Sequence, residues 1–237
     1  IPSQEMLRTD TPRPKMISGE VEARIIEEIR RLAPEVDAIM IGDQVSATLS
    51  DRVLEAILEC ATKYDLVTVA DSRARAGFFK GVTLVTPNDK EAGLAAGINV
   101  VDEATLQQAG RFLLTRAKNV MITLGPDGIA CFSEDGGVET VPIRPVNVRD
   151  VTGAGDTVTA AATLTLVGGG TLHDAAFLGN LAAGIAVAQT GVVTVSNAEV
   201  MDALFEGETL TTDKLKTLEQ MRAIMKRLKR EGKRFVW

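Results

Sequence analysis

Short apolar runs alternate with helix-period stretches along this chain, and that alternation restricts the fold more than any total does. Val21, Ile25, Ile29 and Leu32 fall on one helix face behind Ser18, a favourable N-cap. The run Ala38-Ile-Met-Ile41, bounded by Asp37 and Gly42, then reads as a buried strand. A helix over about residues 49–63, a strand over 66–70 and a strand over 82–86 ending at Pro87-Asn88 follow, with helical segments through Ala117. Residues 119–124 form the next strand, and Gly125-Pro-Asp-Gly128 turns it into a hairpin-like stretch reaching about Val141. Two small-residue-rich apolar helices complete the pattern, over about 154–167 and 171–189, with Thr171 and Asp174 spaced as a capping box. Strands and helices alternating at these lengths predict an α/β fold, a doubly wound and mainly parallel sheet covered on both faces. Ligands in such sheets collect at the carboxyl ends of the strands, which singles out Asp43, Asp71, Asn88 and Gly125 by position.

The totals fit that reading. A chain of 237 residues can enclose one α/β core, and aromatics at 4% require that core to be aliphatic and alanine-rich. No apolar run reaches the roughly 18–20 residues of a membrane helix and no signal-peptide pattern opens the chain, so a cytoplasmic protein with no membrane partner is expected. Cys60 and Cys131 have no CxxC pairing, and His173 is the sole histidine; two buried thiols are expected, without a disulfide framework or zinc site. The net charge of −6 is uneven, because residues 214–234 carry nine basic side chains against Glu219 and Glu231. The acidic remainder speaks against nucleic-acid binding, and the basic stretch, with Leu215, Leu218, Met221, Ile224, Met225 and Leu228 as its apolar stripe, reads as a solvated helix. Residues 1–15, with three prolines and no helix period, read as a strand remnant and loop.

The chemistry concentrates in Asp150-Val-Thr-Gly-Ala-Gly-Asp156, which opens an apolar helix. Glycines at a helix start let a phosphate reach free backbone N–H groups, where the helix dipole also favours negative charge. Asp156 then stands where a carboxylate can take a proton from a hydroxyl attacking a phosphoryl group held by those amides. The segment is not a Walker A loop, since no Lys-Ser/Thr follows the glycines, and Val158 breaks a GxGxxG fingerprint. Alone, it could equally be a glycine-rich helix start with a dipole-favoured aspartate.

These residues resemble the D-T-x-G-A-G-D signature of the PfkB/ribokinase family. The resemblance implies Gly153, Ala154 and Gly155 as an anion hole and Asp156 as general base. It also implies ATP and Mg²⁺ as cofactors, and in some members a monovalent cation near the loop that departs from the signature at Val151. Asn88-Asp-Lys-Glu91 is similar to the family's N-x-x-E motif, implying that Asn88 and Glu91 hold Mg²⁺ and phosphate through water; taken alone they read as a helix cap and its first-turn acid. Thr123-Leu-Gly125-Pro-Asp-Gly128 resembles the strand end beside the nucleotide phosphates, and the stretch from Asn180 to Gly191 resembles the adenine-side helix and closing loop, although Asn180 can also be a core amide.

Within the family, residues 86–91, 150–157 and 191–196 most resemble the heptose 7-phosphate kinase domains of bacterial ADP-heptose synthases. That implies a ribokinase-like kinase domain over residues 1–207 and a charged helix and linker over 208–237 leading toward a nucleotidyltransferase domain. Gln4–Asp10 resembles mid-domain sequence of those kinases, so the family's sugar-binding Gly-Gly segment and lid strands are expected to lie outside this sequence. A sheet without them would expose an edge, and a homodimer is the expected assembly. Asp43, with Arg73 or Arg75, is the expected contact to a sugar or its phosphate. Other PfkB-type sugar or nucleoside kinases, a non-catalytic nucleotide-binding module and, more distantly, a dinucleotide oxidoreductase remain open.

Overall fold

The computed structural model describes residues 17–44 and 48–208. The readings made above for residues 1–15 and for the basic stretch 214–234 lie outside them. The chain divides into two units, the second beginning at Ser196.

In the first unit, α1 (Gly19–Leu32) starts at Ser18, whose hydroxyl accepts the Val21 N–H at 3.4 Å. Its buried side is centred on Ile26 with Ile25 and Ile29 beside it, so the packing stripe lies round the helix from the expected one and leaves Val21 and Leu32 exposed. The expected strand follows as β1 (Ala38–Asp43), then α2 (Asp51–Tyr64), whose first turn is capped by the Ser50 hydroxyl. The next strand, β2 (Val67–Ser72), runs two residues beyond its expected end. By contrast β3 (Leu84–Val85) is shorter than expected, because the Thr86 N–H still reaches the Ala70 carbonyl at 3.0 Å but Pro87 has no N–H to give. Helices α3 (Asp89–Ala96) and α4 (Glu103–Leu114) lead to β4 (Asn119–Thr123), and a glycine turn to β5 (Ile129–Ser133) and β6 (Val138–Val141).

The six strands lie in the order β1-β2-β3-β4-β5-β6, parallel from β1 to β4 and antiparallel from β4 to β6. Strand alternation sorts the side chains into two cores. Ile41, Ala70, Val85, Val120, Ile122, Ala130 and Phe132 face α1 to α4. Val69, Leu84, Met121, Ile129, Cys131 and Val141 face the two last helices of the unit, α5 (Ala154–Val167) and α6 (Leu172–Val187). The sheet is therefore covered on both faces, as the alternation predicts. Both cysteines are buried and free, and burial pushes the Cys131 thiol up to about 12. The Thr171–Asp174 capping box forms as expected. His173 sits at the surface against Glu139, 3.1 Å away.

The second unit contributes α7 (Asn197–Glu208), whose start is held by reciprocal bonds between Ser196 and Glu199. Among the described residues no helix is long and apolar enough to cross a membrane.

Candidate active site

Four parallel strands end on the same side of the sheet, and Asp43, Asp71, Asn88 and Thr123 stand at those ends. Asn88, just past β3, caps α3: its Oδ1 accepts the Glu91 N–H and Glu91 Oε2 accepts the Asn88 N–H, both at 2.9 Å. The helix-cap reading of these residues is thus realised in full. The same turn is tied to β4, because Asn88 bridges Thr123 and the Thr123 N–H donates to the Pro87 carbonyl at 2.9 Å. The structure therefore brings Asn88, Glu91 and Thr123 together. Gly125 follows with φ +59°, and a Cβ built there meets nothing within 4 Å. Gly128 has a packing reason instead: at φ +95° its missing Cβ would lie 2.2 Å from the Val141 carbonyl.

Opposite this turn, α5 begins at Gly153, whose φ of +81° is a conformation other residues adopt only under strain. The Ala154 N–H donates to the Val151 carbonyl at 3.2 Å, so the anion hole expected over Gly153, Ala154 and Gly155 narrows. Gly155 and Asp156 stand in the first helical turn, where N–H groups have no carbonyl one turn back. A Cβ at Gly155 would meet nothing within 4 Å, so an anion can approach this backbone closely. The loop before it is fixed by Asp150, which accepts from the Thr152 hydroxyl at 2.7 Å, the Thr152 N–H at 2.9 Å and the Gly191 N–H at 3.0 Å; the hydroxyl first, then the two N–H groups, hold its carboxyl below the usual range.

The two sides meet electrostatically at Asp71, on the penultimate position of β2. Burial first, then the negative charges of Glu91, Asp156 and Asp43, push its carboxyl up to about 6, with Arg73 opposing. Asp71, Glu91 and Asp156 therefore share one field at the strand ends. Asp71 stood out in the sequence only by its strand-end position; nothing in a linear reading shows it beside two further acids.

Asp43 corrects an expectation. Its carboxylate is fully buried, with Arg75 Nε and Nη2 each donating to it at 2.9 Å and the Ser72 hydroxyl at 2.8 Å. A side chain enclosed this way is a structural anchor in this structure, and the Arg75 fork is held by the same pair, while Arg73 remains exposed near Asp71. Asn180 likewise takes the core-amide role: its Nδ2 donates to the Val141 carbonyl at 2.8 Å and ties α6 to the end of β6.

Hard-cation chemistry fits this corner. Carboxylates that raise one another's proton affinity gain from a divalent cation, and a free first-turn backbone takes phosphate oxygens. Among the described residues no group of three metal-binding side chains is close enough to hold an ion by itself, so a cation here would complete its shell with water and phosphate.

Comparison with known proteins gives these residues a family. Residues 17–199 match the pfkB family carbohydrate kinases, and the chain belongs to that family. A curated relative, the bifunctional protein HldE of Geobacter metallireducens, is 36% identical over 238 residues, covering 99% of this chain and 49% of its own length. The bifunctional protein HldE of Desulfatibacillum aliphaticivorans is 34% identical over 237 residues, again with 99% and 48% covered. The chain thus spans about half the length of these relatives. Among solved structures, phosphofructokinase-2 from Escherichia coli in complex with potassium superposes with a TM-score of 0.69 at 19% identity, covering 83% of this chain and 65% of that one. Arabidopsis thaliana ribokinase complexed with ribose and ATP gives 0.65 at 19%, covering 81% and 61%. These likenesses establish the ribokinase-like fold.

Proposed function

We propose that this protein transfers the γ-phosphoryl group of ATP to a sugar-phosphate hydroxyl, with heptose 7-phosphate as acceptor and heptose 1,7-bisphosphate as product. The observation that carries this reading is the shared field of Asp71, Glu91 and Asp156 beside the open first-turn amides of α5. Asp156 is the general base: as the first-turn acid of α5 it removes the proton of the attacking hydroxyl. The amides of Gly155 and Asp156 hold the phosphoryl oxygens where negative charge develops. Mg²⁺, when bound, would supply neutralisation of the phosphate charge, and Glu91 and Asp71 are the residues that would hold it through water. Gly125 leaves space beside the phosphates, and Arg73 supplies a cation toward the acceptor's own phosphate. In phosphoryl transfer such positioning and charge stabilisation do most of the catalysis.

The choice of acceptor is supported by the relatives, which carry the HldE name, and by the segments 86–91, 150–157 and 191–196. The same reading takes residues 1–207 as the kinase domain and 208–237 as a linker, with a cytoplasmic homodimer as the working form. The decisive experiment offers the intact protein ATP, Mg²⁺ and a panel of sugars, sugar phosphates and nucleosides. Turnover of heptose 7-phosphate above the rest supports the reading; turnover of another acceptor only replaces the substrate; ATP binding without any transfer leaves a nucleotide-binding module. Asp156→Asn is expected to lower kcat by about 10²- to 10⁴-fold with nucleotide affinity nearly unchanged. Equal kcat in that variant removes the base assignment.

A further inference from the structure

The two halves of the site are joined through the core by a pair of buried hydroxyls. Thr86 lies two residues before Asn88 at the end of β3, and Thr159 lies three residues after Asp156, one turn into α5. They are 4% and 2% exposed, and their Oγ1 atoms stand 2.9 Å apart. Thr159 Oγ1 also lies 3.0 Å from the Gly155 carbonyl, with geometry suited to donation. Each hydroxyl has one proton, so this second contact assigns the direction of the first. With the Thr159 proton on the Gly155 carbonyl, Thr86 donates to Thr159. The alternative acceptor for Thr86, the Ala70 carbonyl, is 3.5 Å away and already receives the Thr86 N–H at 3.0 Å.

The result is a directed chain from β3 through Thr86 and Thr159 to the Gly155 carbonyl. That carbonyl belongs to the same peptide unit as the Asp156 N–H. A hydrogen bond accepted at one end of a peptide strengthens donation at the other.

Resting on the proposed phosphoryl transfer, we infer that Thr86 and Thr159 are positioning residues for it. They fix the Gly155–Asp156 peptide, and with it the base, in register with the Asn88–Glu91 turn. Both are buried, so they act through the turn and not by contact with the reacting groups. Both also have other bonds, so removing the bridge need not unfold the protein: without Thr86, Thr159 still donates to Gly155, and without Thr159, Thr86 can still reach Ala70.

The test uses the intact protein with Thr86→Val, Thr159→Val, their combination and Thr159→Ser, since Val keeps the shape and Ser keeps the hydroxyl. Each Val variant is expected to lower kcat about tenfold while the nucleotide KM stays within about twofold, the cost of a small misplacement at the reacting centre. The combination should lose no more than Thr159→Val alone, which already removes both the bridge and the Gly155 bond, and Thr159→Ser should keep the wild-type rate. Hydrogen exchange of the peptide spanning residues 151–160 should be faster in both Val variants than in wild type or Thr159→Ser. A fall in Tm with unchanged kcat and unchanged exchange overturns the inference and leaves only a packing role. So do losses that multiply in the combination. If wild type transfers phosphate to no acceptor in the panel, the functional reading fails, and the exchange comparison still decides whether the bridge positions the turn.

Discussion

Asp43 and Asp71 stand at the ends of neighbouring parallel strands, paired in register with Ser72 and Gly42 respectively, and they meet opposite fates. Asp43 is enclosed and faces a guanidinium fork that satisfies its charge. Asp71 is half-buried and faces mainly other acids, so its carboxyl is pushed up to about 6. The same residue type at the same end of the sheet is an anchor where a guanidinium is bonded to it, and a charge of raised proton affinity where burial and nearby acids outweigh the one arginine in its field. The second arrangement is the one that gains from a ligand cation.

The comparison can be broken by the same substitution made twice. Asp43→Asn should destabilise the fold by about 3 kcal/mol, since it removes the partner of a partly buried guanidinium and a full set of charge-assisted bonds. Urea denaturation would measure it, and a loss under about 1 kcal/mol would make the pair a surface-like bridge. Asn180→Ala should cost roughly 1 to 2 kcal/mol by the same assay, leaving the Val141 carbonyl without its side-chain donor at 2.8 Å. Asp71→Asn should act the other way and stabilise the metal-free protein at pH 7.5 by on the order of 1 kcal/mol, after allowing for solvent screening.

The sign of that last effect follows from proton uptake. A carboxyl raised from 3.8 to about 6 binds its proton more tightly in the folded chain than in the unfolded one. Its favourable contribution is present below pH about 4 and is lost as pH rises toward about 6. The advantage of Asp71→Asn should therefore vanish by about pH 4, and a pH-independent gain would assign it to packing instead. Millimolar Mg²⁺ with a nucleotide should raise the Tm of wild type more than that of Asp71→Asn; equal shifts would take Asp71 out of the cation's surroundings.

Much of this was legible in the linear chain because it is local. The Ser18, Asn88 and Thr171 caps, the positive-φ glycine before α5 and the β4–β5 hairpin depend on residues only a few positions apart. The strand boundaries differ for two reasons: Pro87, a neighbour in the chain, has no N–H with which to continue β3, whereas β2 is extended by a remote partner, pairing with β1 through Ser72. The site divides the same way. The Asp150–Asp156 segment announces a helix start open to anions, and Asn88–Glu91 announces a capped turn, but neither indicates the other.

What the sequence determined by itself was the alternation of elements and the chemistry at each strand end, since backbone propensity, capping and side-chain pKa range act over one or two turns. What only the tertiary structure decided was which of those end groups became partners. Asp43 met Arg75 across 32 residues, Thr86 met Thr159 across 73, and Asp71 came into the field of Glu91 and Asp156. Desolvation and Coulomb energy depend on distance in space, and only packing the helices against the sheet sets those distances.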